Sequence, residues 1–215
     1  MSVPQLSILE ARVLGVLVEK QRTVPDTYPL SLNALVAGCN QKTSREPILS
    51  ASEGEVQAAL DRLKELSLAV ESSGGRVMRY AHNVERVLNV PAQAVALLAV
   101  LMLRGPQTIG ELRINTDRLH RFADTSAVQA FLEELASRPN GTLVVELPRH
   151  PGERENRWAH LLSGAPPAPA IGASSPAASA FPMGDVQALQ EELMALRAEV
   201  AELKSAVAAL RARLA

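Results

Sequence analysis

The side chains with chemistry to offer are four histidines, one cysteine and several clusters of arginine and lysine. Cys39 stands alone, so neither an internal disulfide nor a thiolate metal cage can form, and it reads as a small buried apolar residue of a reducing, cytoplasmic compartment. The histidines, His82, His120, His150 and His160, lack the spacing of a zinc site. His82 and His160 close two similar stretches, Arg79-Tyr80-Ala81-His82 and Arg157-Trp158-Ala159-His160, which suggests a shared hydrogen bond at a strand end. Gly74-Gly75 reads as a turn and not as a phosphate cradle. With no nucleophile motif, phosphate loop or dinucleotide fingerprint, the expectation is a protein without catalysis, cofactor or metal.

Charge is what remains. Cations gather at Lys42, Arg45, Arg76 and Arg79, at Arg113, Arg118 and Arg121, and at Arg149, Arg154 and Arg157. Guanidinium and ammonium groups recognise phosphate oxygens, so these ten are the candidate nucleic-acid contacts. Their surroundings are balanced. The chain has 22 basic and 23 acidic side chains, with ten of each sign in residues 1–88 and eight of each in residues 89–164. Neither half is a basic module, and a solvated charged face accounts for the clusters equally well.

The elements that must position these residues follow from periodicity. Ser7 and Glu10 form a capping box, and Leu9, Val13, Val16 and Leu17 follow at helical spacing, which predicts a first helix to about Arg22. Pro25 and Pro29 predict an extended connection, Ser31 opens a second helix, and Gly38 and Asn40 are its expected stops. A second capping box, Ser52 and Glu55, starts a third helix with Val56, Leu60 and Leu63 inward. The period then changes to that of strands over Leu68–Glu71 and Arg76–Ala81, around the glycine turn.

The same order recurs. A helix over Ala92–Leu103 ends at Gly105-Pro106, Thr108 and Glu111 cap the next, and Asp124 caps a third whose Val128, Leu132 and Leu135 repeat the earlier spacing. Strands over Thr142–Leu147 and Arg154–Leu161 close the set. This is an internal duplication, and three helices followed by a hairpin is the order of a winged helix, with its helix-turn-helix. The expected fold is therefore mainly α with small β-hairpins (α+β): a first winged-helix domain over 1–88 and a second over 89–163, each with a small core. The helix over Ala92–Leu103, apolar nearly all round, should pack on both.

Residues 164–184 are rich in Ala, Pro and Ser and read as a linker. Residues 185–215 carry a heptad, with Val186, Leu193, Val200, Val207 and Leu214 at one core position and Leu189, Leu196, Leu203 and Leu210 at the other. Valine opposite leucine layers, with Glu192 facing Arg197 and Glu199 facing Lys204 of a sister chain, predicts a parallel coiled-coil homodimer. Folding back onto the chain's own domains is the alternative for this tail. The longest apolar stretch, Val95–Leu103, is less than half of the roughly 20 residues a membrane span needs, and Glu10 and Arg12 break up any secretion signal, so neither is expected.

Several long stretches carry a family resemblance. Leu9-Glu10-Ala11-Arg12-Val13-Leu14, Pro25-Asp26-Thr27-Tyr28-Pro29-Leu30-Ser31-Leu32-Asn33-Ala34-Leu35, Cys39-Asn40-Gln41-Lys42, Leu103-Arg104-Gly105-Pro106-Gln107-Thr108 and Pro151-Gly152-Glu153-Arg154 resemble the YceH family of bacterial proteins. The resemblance covers about residues 5–163 and implies a tandem winged-helix fold; it implies no activity. Two functional expectations stand side by side. One is a dimeric regulator that binds double-stranded DNA. The other is a protein-protein adaptor, which the near-neutral charge and the outward residues of the third helices favour: Glu53, Gln57, Asp61 and Lys64, then Thr125, Gln129 and Glu133.

Overall fold

The computed structural model describes residues 3–72, 77–149 and 153–164. The heptad positions of the tail, Arg76, His150 and the linker beyond Gly164 lie outside them. An α+β architecture is observed. In the first half, α1 (Ile8–Thr23), β1 (Leu30–Ser31), α2 (Leu32–Cys39) and α3 (Glu53–Glu65) precede a hairpin of β2 (Ala69–Ser72) and β3 (Arg79–His82). The sheet order is β1-β3-β2, all antiparallel. After α4 (Val84–Leu88), the second half repeats the plan with α5 (Ala92–Arg104), α6 (Ile109–Asn115), α7 (Thr125–Ala136) and the hairpin β4 (Val144–Leu147) and β5 (Arg157–His160).

The duplication extends to register. Ala69, Val70, Glu71 and Ser72 pair with His82, Ala81, Tyr80 and Arg79, just as Val144, Val145, Glu146 and Leu147 pair with His160, Ala159, Trp158 and Arg157. Even β1 has its counterpart, since Leu30 pairs with Tyr80 and the isolated bridge Gln107 pairs with Trp158.

Local chemistry explains where the helices begin. Ser7 with Glu10, Ser52 with Glu55, and Thr108 with Glu111 form complete capping boxes, and Asp124 accepts from the Ala127 N–H at the start of α7. Each satisfies backbone donors that no helical carbonyl can reach. Asn40 caps α2, whereas Gly38 is not a stop: it lies inside the helix, and a Cβ there would sit 2.6 Å from Val16 Cγ1. Its missing side chain is what lets α2 close on α1. Pro25–Thr27 forms a 3-10 turn before the chain extends at Tyr28. Two elements have no counterpart among the expected ones, the two-residue β1 and the single-turn α4, which ends at Asn89 with a left-handed φ of 49°.

The expectation of two separate small cores is corrected. One hydrophobic core runs from Leu6 to Leu162 through both halves, and the described residues belong to a single compact unit. Its centre is the packing of α1 on α5. Every residue from Ala11 to Val18 and from Ala94 to Leu103 is buried, so both helices are surrounded on all sides. Gly15 makes the close approach possible, because a Cβ there would meet Leu103 Cγ at 3.0 Å.

Candidate nucleic-acid interface

In the second half, Val128, Leu132 and Leu135 bury the inner face of α7, which leaves Thr125, Gln129 and Glu133 exposed. The hairpin lies beside this face. Arg149 follows β4 and Arg154 precedes β5, and both line a half-open cleft of about 520 Å³ with Thr125, Gln129, Gly110 and Glu146. Neither arginine makes an ion pair among the described residues. Glu146 and Glu155 also line the cleft; Glu146 accepts from Asn156 at 2.9 Å, and Gln129 donates to Glu133 of α7 at 2.8 Å.

The other candidates are scattered and mostly committed to the protein itself. Arg157 bridges Glu111 at 2.8 Å and Glu153 at 3.2 Å and donates to the Pro106 carbonyl, tying β5 to the start of α6. Arg121 pairs with Asp117 at 3.1 Å and Arg113 donates to the Ala123 carbonyl, while Arg118 and Lys42 are exposed. Arg79 donates to the Pro29 carbonyl at 2.9 Å and holds the β1 connection. Arg45 is not a surface cation at all. The loop after α2 folds inward and buries it to 5% exposure, with its guanidinium on Glu19 at 2.6 Å and 3.2 Å, on the Gly38 carbonyl and on Gln41. No phosphate could reach it. Among the described candidates, Arg149 and Arg154 line one cleft together.

On the equivalent face of the first half the cation is already held by carboxylates. Lys64 pairs with Asp61 at 3.0 Å and Glu71 at 2.6 Å, Gln57 donates to Asp61, and the Tyr80 hydroxyl donates to Gln57.

Sequence reasoning missed a second buried guanidinium. Arg12 looks like a surface residue of α1, yet it is 1% exposed and donates to the Cys39 carbonyl at 3.0 Å and the Pro47 carbonyl at 2.6 Å. Burial and the neighbouring Arg45 both lower its pKa. Burial pushes the Glu19 carboxyl up, but the hydrogen bonds and charge of Arg45 outweigh it and hold the group below its ordinary value. Cys39, fully buried beside these groups, has its thiol pushed up to about 12 by burial, which leaves it protonated and inert. Among the described residues no group of three or more His, Cys, Asp and Glu could hold a metal ion, and no helix is long and apolar enough to cross a membrane.

The two equivalent histidines have diverged. His82 faces Gln21 at 2.8 Å and accepts from the Val84 N–H, whereas His160 Nδ1 has no partner among the described residues. Burial pushes both down to about 4. With folded values below an unfolded value near 6.5, the unfolded chain binds protons first as pH falls, so stability is complete above about pH 6.5 and declines towards pH 4. Each histidine should contribute a slope of up to about 1.4 kcal/mol per pH unit in that window. Urea midpoints at pH 7 and 5.5 will fall apart in the wild type and draw together when His82→Gln and His160→Gln are combined; an unchanged gap would refute the assignment.

Two halves of like plan around one core, with a polar cleft on the second that holds two arginines and two glutamates, define an α+β protein built by duplication. The chain belongs to the family described as "Protein of unknown function, DUF480", which matches residues 6–153. It is 69% identical over 165 residues to a UPF0502 protein of Dechloromonas aromatica (strain RCB), covering 77% of this chain and 78% of that one. A UPF0502 protein of Burkholderia vietnamiensis (strain G4 / LMG 22486) is 67% identical over 160 residues, 74% of this chain and 67% of its own. One of Burkholderia pseudomallei (strain K96243) is 60% identical over 195 residues, 89% of this chain and 82% of its own. The bacterial family that the sequence resembles is thus the family to which it belongs.

Proposed function

We propose that the protein is a non-catalytic, cytoplasmic, dimeric winged-helix regulator that binds double-stranded DNA through its second half. The winged-helix reading is supported by the element order of the first half, helix, strand, helix, helix and hairpin, with β1 added beside β3, and by its repetition in the second. In winged-helix DNA binders the third helix reads base edges while the wing touches phosphates. The observation that carries the proposal is the cleft in which Arg149 and Arg154 of the hairpin flank Thr125 and Gln129 of α7. Gln129 has the amide geometry to pair with an adenine edge once it leaves Glu133.

Titration of a random duplex by fluorescence anisotropy at low and moderate salt tests this. Affinity should fall steeply as salt rises, and Arg149→Ala with Arg154→Ala should reduce the slope of log K against log salt by about 2, since each lost phosphate contact removes about 0.9. Absence of binding at low salt would reject DNA as the ligand. A protein-protein adaptor is then the reading favoured by Glu53, Asp61 and Glu133 on the outward faces of the two third helices. In either case the heptad of residues 185–215 supports a parallel homodimer. Light scattering of the full chain should give twice the 23.0 kDa chain mass, and a monomer would refute it.

A further inference from the structure

The duplication supplies an internal comparison, because each hairpin shows how the other could have been finished. In the second half the outer pair is Val145 and Ala159: Val145 is half-buried, and Ala159 is 4% exposed and lines a groove with Ile8 and Ala11 of α1. The equivalent pair of the first half is Val70 and Ala81. There Val70 is 44% exposed, and the same hairpin exposes Val77 to 57% and Met78 to 40%. Three of the seven large apolar side chains left in water among the described residues thus belong to one short hairpin. Isolated exposed apolar residues are ordinary, but a cluster of them on one element marks a contact surface.

The edge beside them is open too. β2 is the outer strand of the order β1-β3-β2; it has neither proline nor a bulge, and its short length and the charge of Glu71 are its only guards against edge pairing. Successive side chains of β2 alternate between two faces. Val70 lies on the outer one. Glu71 lies on the other, where it meets Lys64 of α3 at 2.6 Å. On that side Asp61 and Glu71 share the single Lys64, so the cluster keeps one net negative charge.

From these observations we infer that the first half is a protein-docking module: its β2 edge accepts an extended segment of a protein partner as a further strand, and the partner alternates apolar and basic residues. Backbone pairing to β2 supplies affinity that is independent of sequence, and the two rows of side chains supply selectivity. Apolar residues of the partner meet Val70 and the hairpin's Val77 and Met78; basic residues meet Glu71 and Asp61. This docking does not rest on the DNA reading of the second half, and each stands if the other fails.

The probe is a fluorescent Lys-Val-Lys-Val-Lys-Val peptide titrated with the full-length protein, with Glu-Val-Glu-Val-Glu-Val as its charge-reversed control. Saturable binding of the first and at least tenfold weaker binding of the second are expected. Val70→Asp, and separately Val77→Asp, should weaken the lysine peptide at least tenfold while leaving the thermal midpoint within error, since both side chains are exposed. The sign decides the matter. Attraction by charge alone would make these added carboxylates tighten binding, and that result, equal affinity for the two peptides, or no binding, would overturn the inference.

Discussion

Replacing one carboxylate, in Glu19→Ala, is expected to destabilise the protein by about 3–5 kcal/mol at neutral pH, more than any exposed ion pair could account for. The Arg45 side chain is 1% exposed and that of Glu19 17%, and two N–H···O bonds join them. Arg12, also buried, lies close enough for Arg45 to lower its pKa, so Glu19 offsets the charge of a site holding two guanidiniums. Without it, a buried cation keeps its desolvation cost and loses its counter-charge. The loop carrying Arg45 also holds the halves together, since the Glu46 N–H donates to the Leu103 carbonyl at 2.8 Å and Arg104 donates to Ser44 at 2.7 Å. The double variant Glu19→Leu with Arg45→Met should recover much of the loss, because it removes both charges together. Urea denaturation at pH 7 reads both effects. A loss below about 1 kcal/mol for Glu19→Ala would mean that water reaches the pair and that its burial does not govern stability.

The second large effect tests the shared core. Leu132 of α7 is fully buried in the second half, and Leu132→Ala should cost about 2–5 kcal/mol by lost burial and the cavity left behind. If the halves had independent cores, the cost would stay in the second. Because one core joins them through α1 and α5, the first half should feel it equally. Cys39 makes this visible: it is the only thiol, it is buried in the first half, and it reacts when that half opens. At constant denaturant its labelling rate should rise at least about 30-fold in Leu132→Ala, the factor that 2 kcal/mol implies. Trp158, the only tryptophan, should report the same midpoint from the second half. Separate midpoints for the two probes, with Cys39 unmoved, would show that the halves unfold independently.

Legibility in the sequence followed the range of the interaction. Capping boxes join residues three apart and strand alternation runs over four or five, so helix starts and hairpins could be read locally. The duplication was visible in two similar tetrapeptides, and these are β3 and β5 residue for residue. The outward positions Thr125, Gln129 and Glu133 of α7 also followed from helical spacing. Their pairing did not, for a rotamer decides whether Gln129 faces solvent or Glu133.

Arginine was where the reading went furthest astray. Arg12 and Arg45 have the same composition signature as Arg149 and Arg154, yet the first two are buried among carbonyls and a carboxylate while the others face solvent. Their partners, Pro47 and Glu19, are 35 and 26 residues away in sequence. Gly38 likewise looked like a helix stop because local propensity is all a sequence window contains; its neighbour Val16 belongs to another helix.

The amino-acid sequence by itself determined the elements, their order, their repetition and the family, because each depends on residues within a turn or a strand of one another. Tertiary structure alone decided that two like halves share one core and which cations are spent inside it. Burial and charge pairing are set by neighbours brought together from distant parts of the chain, and no local pattern encodes who those neighbours are.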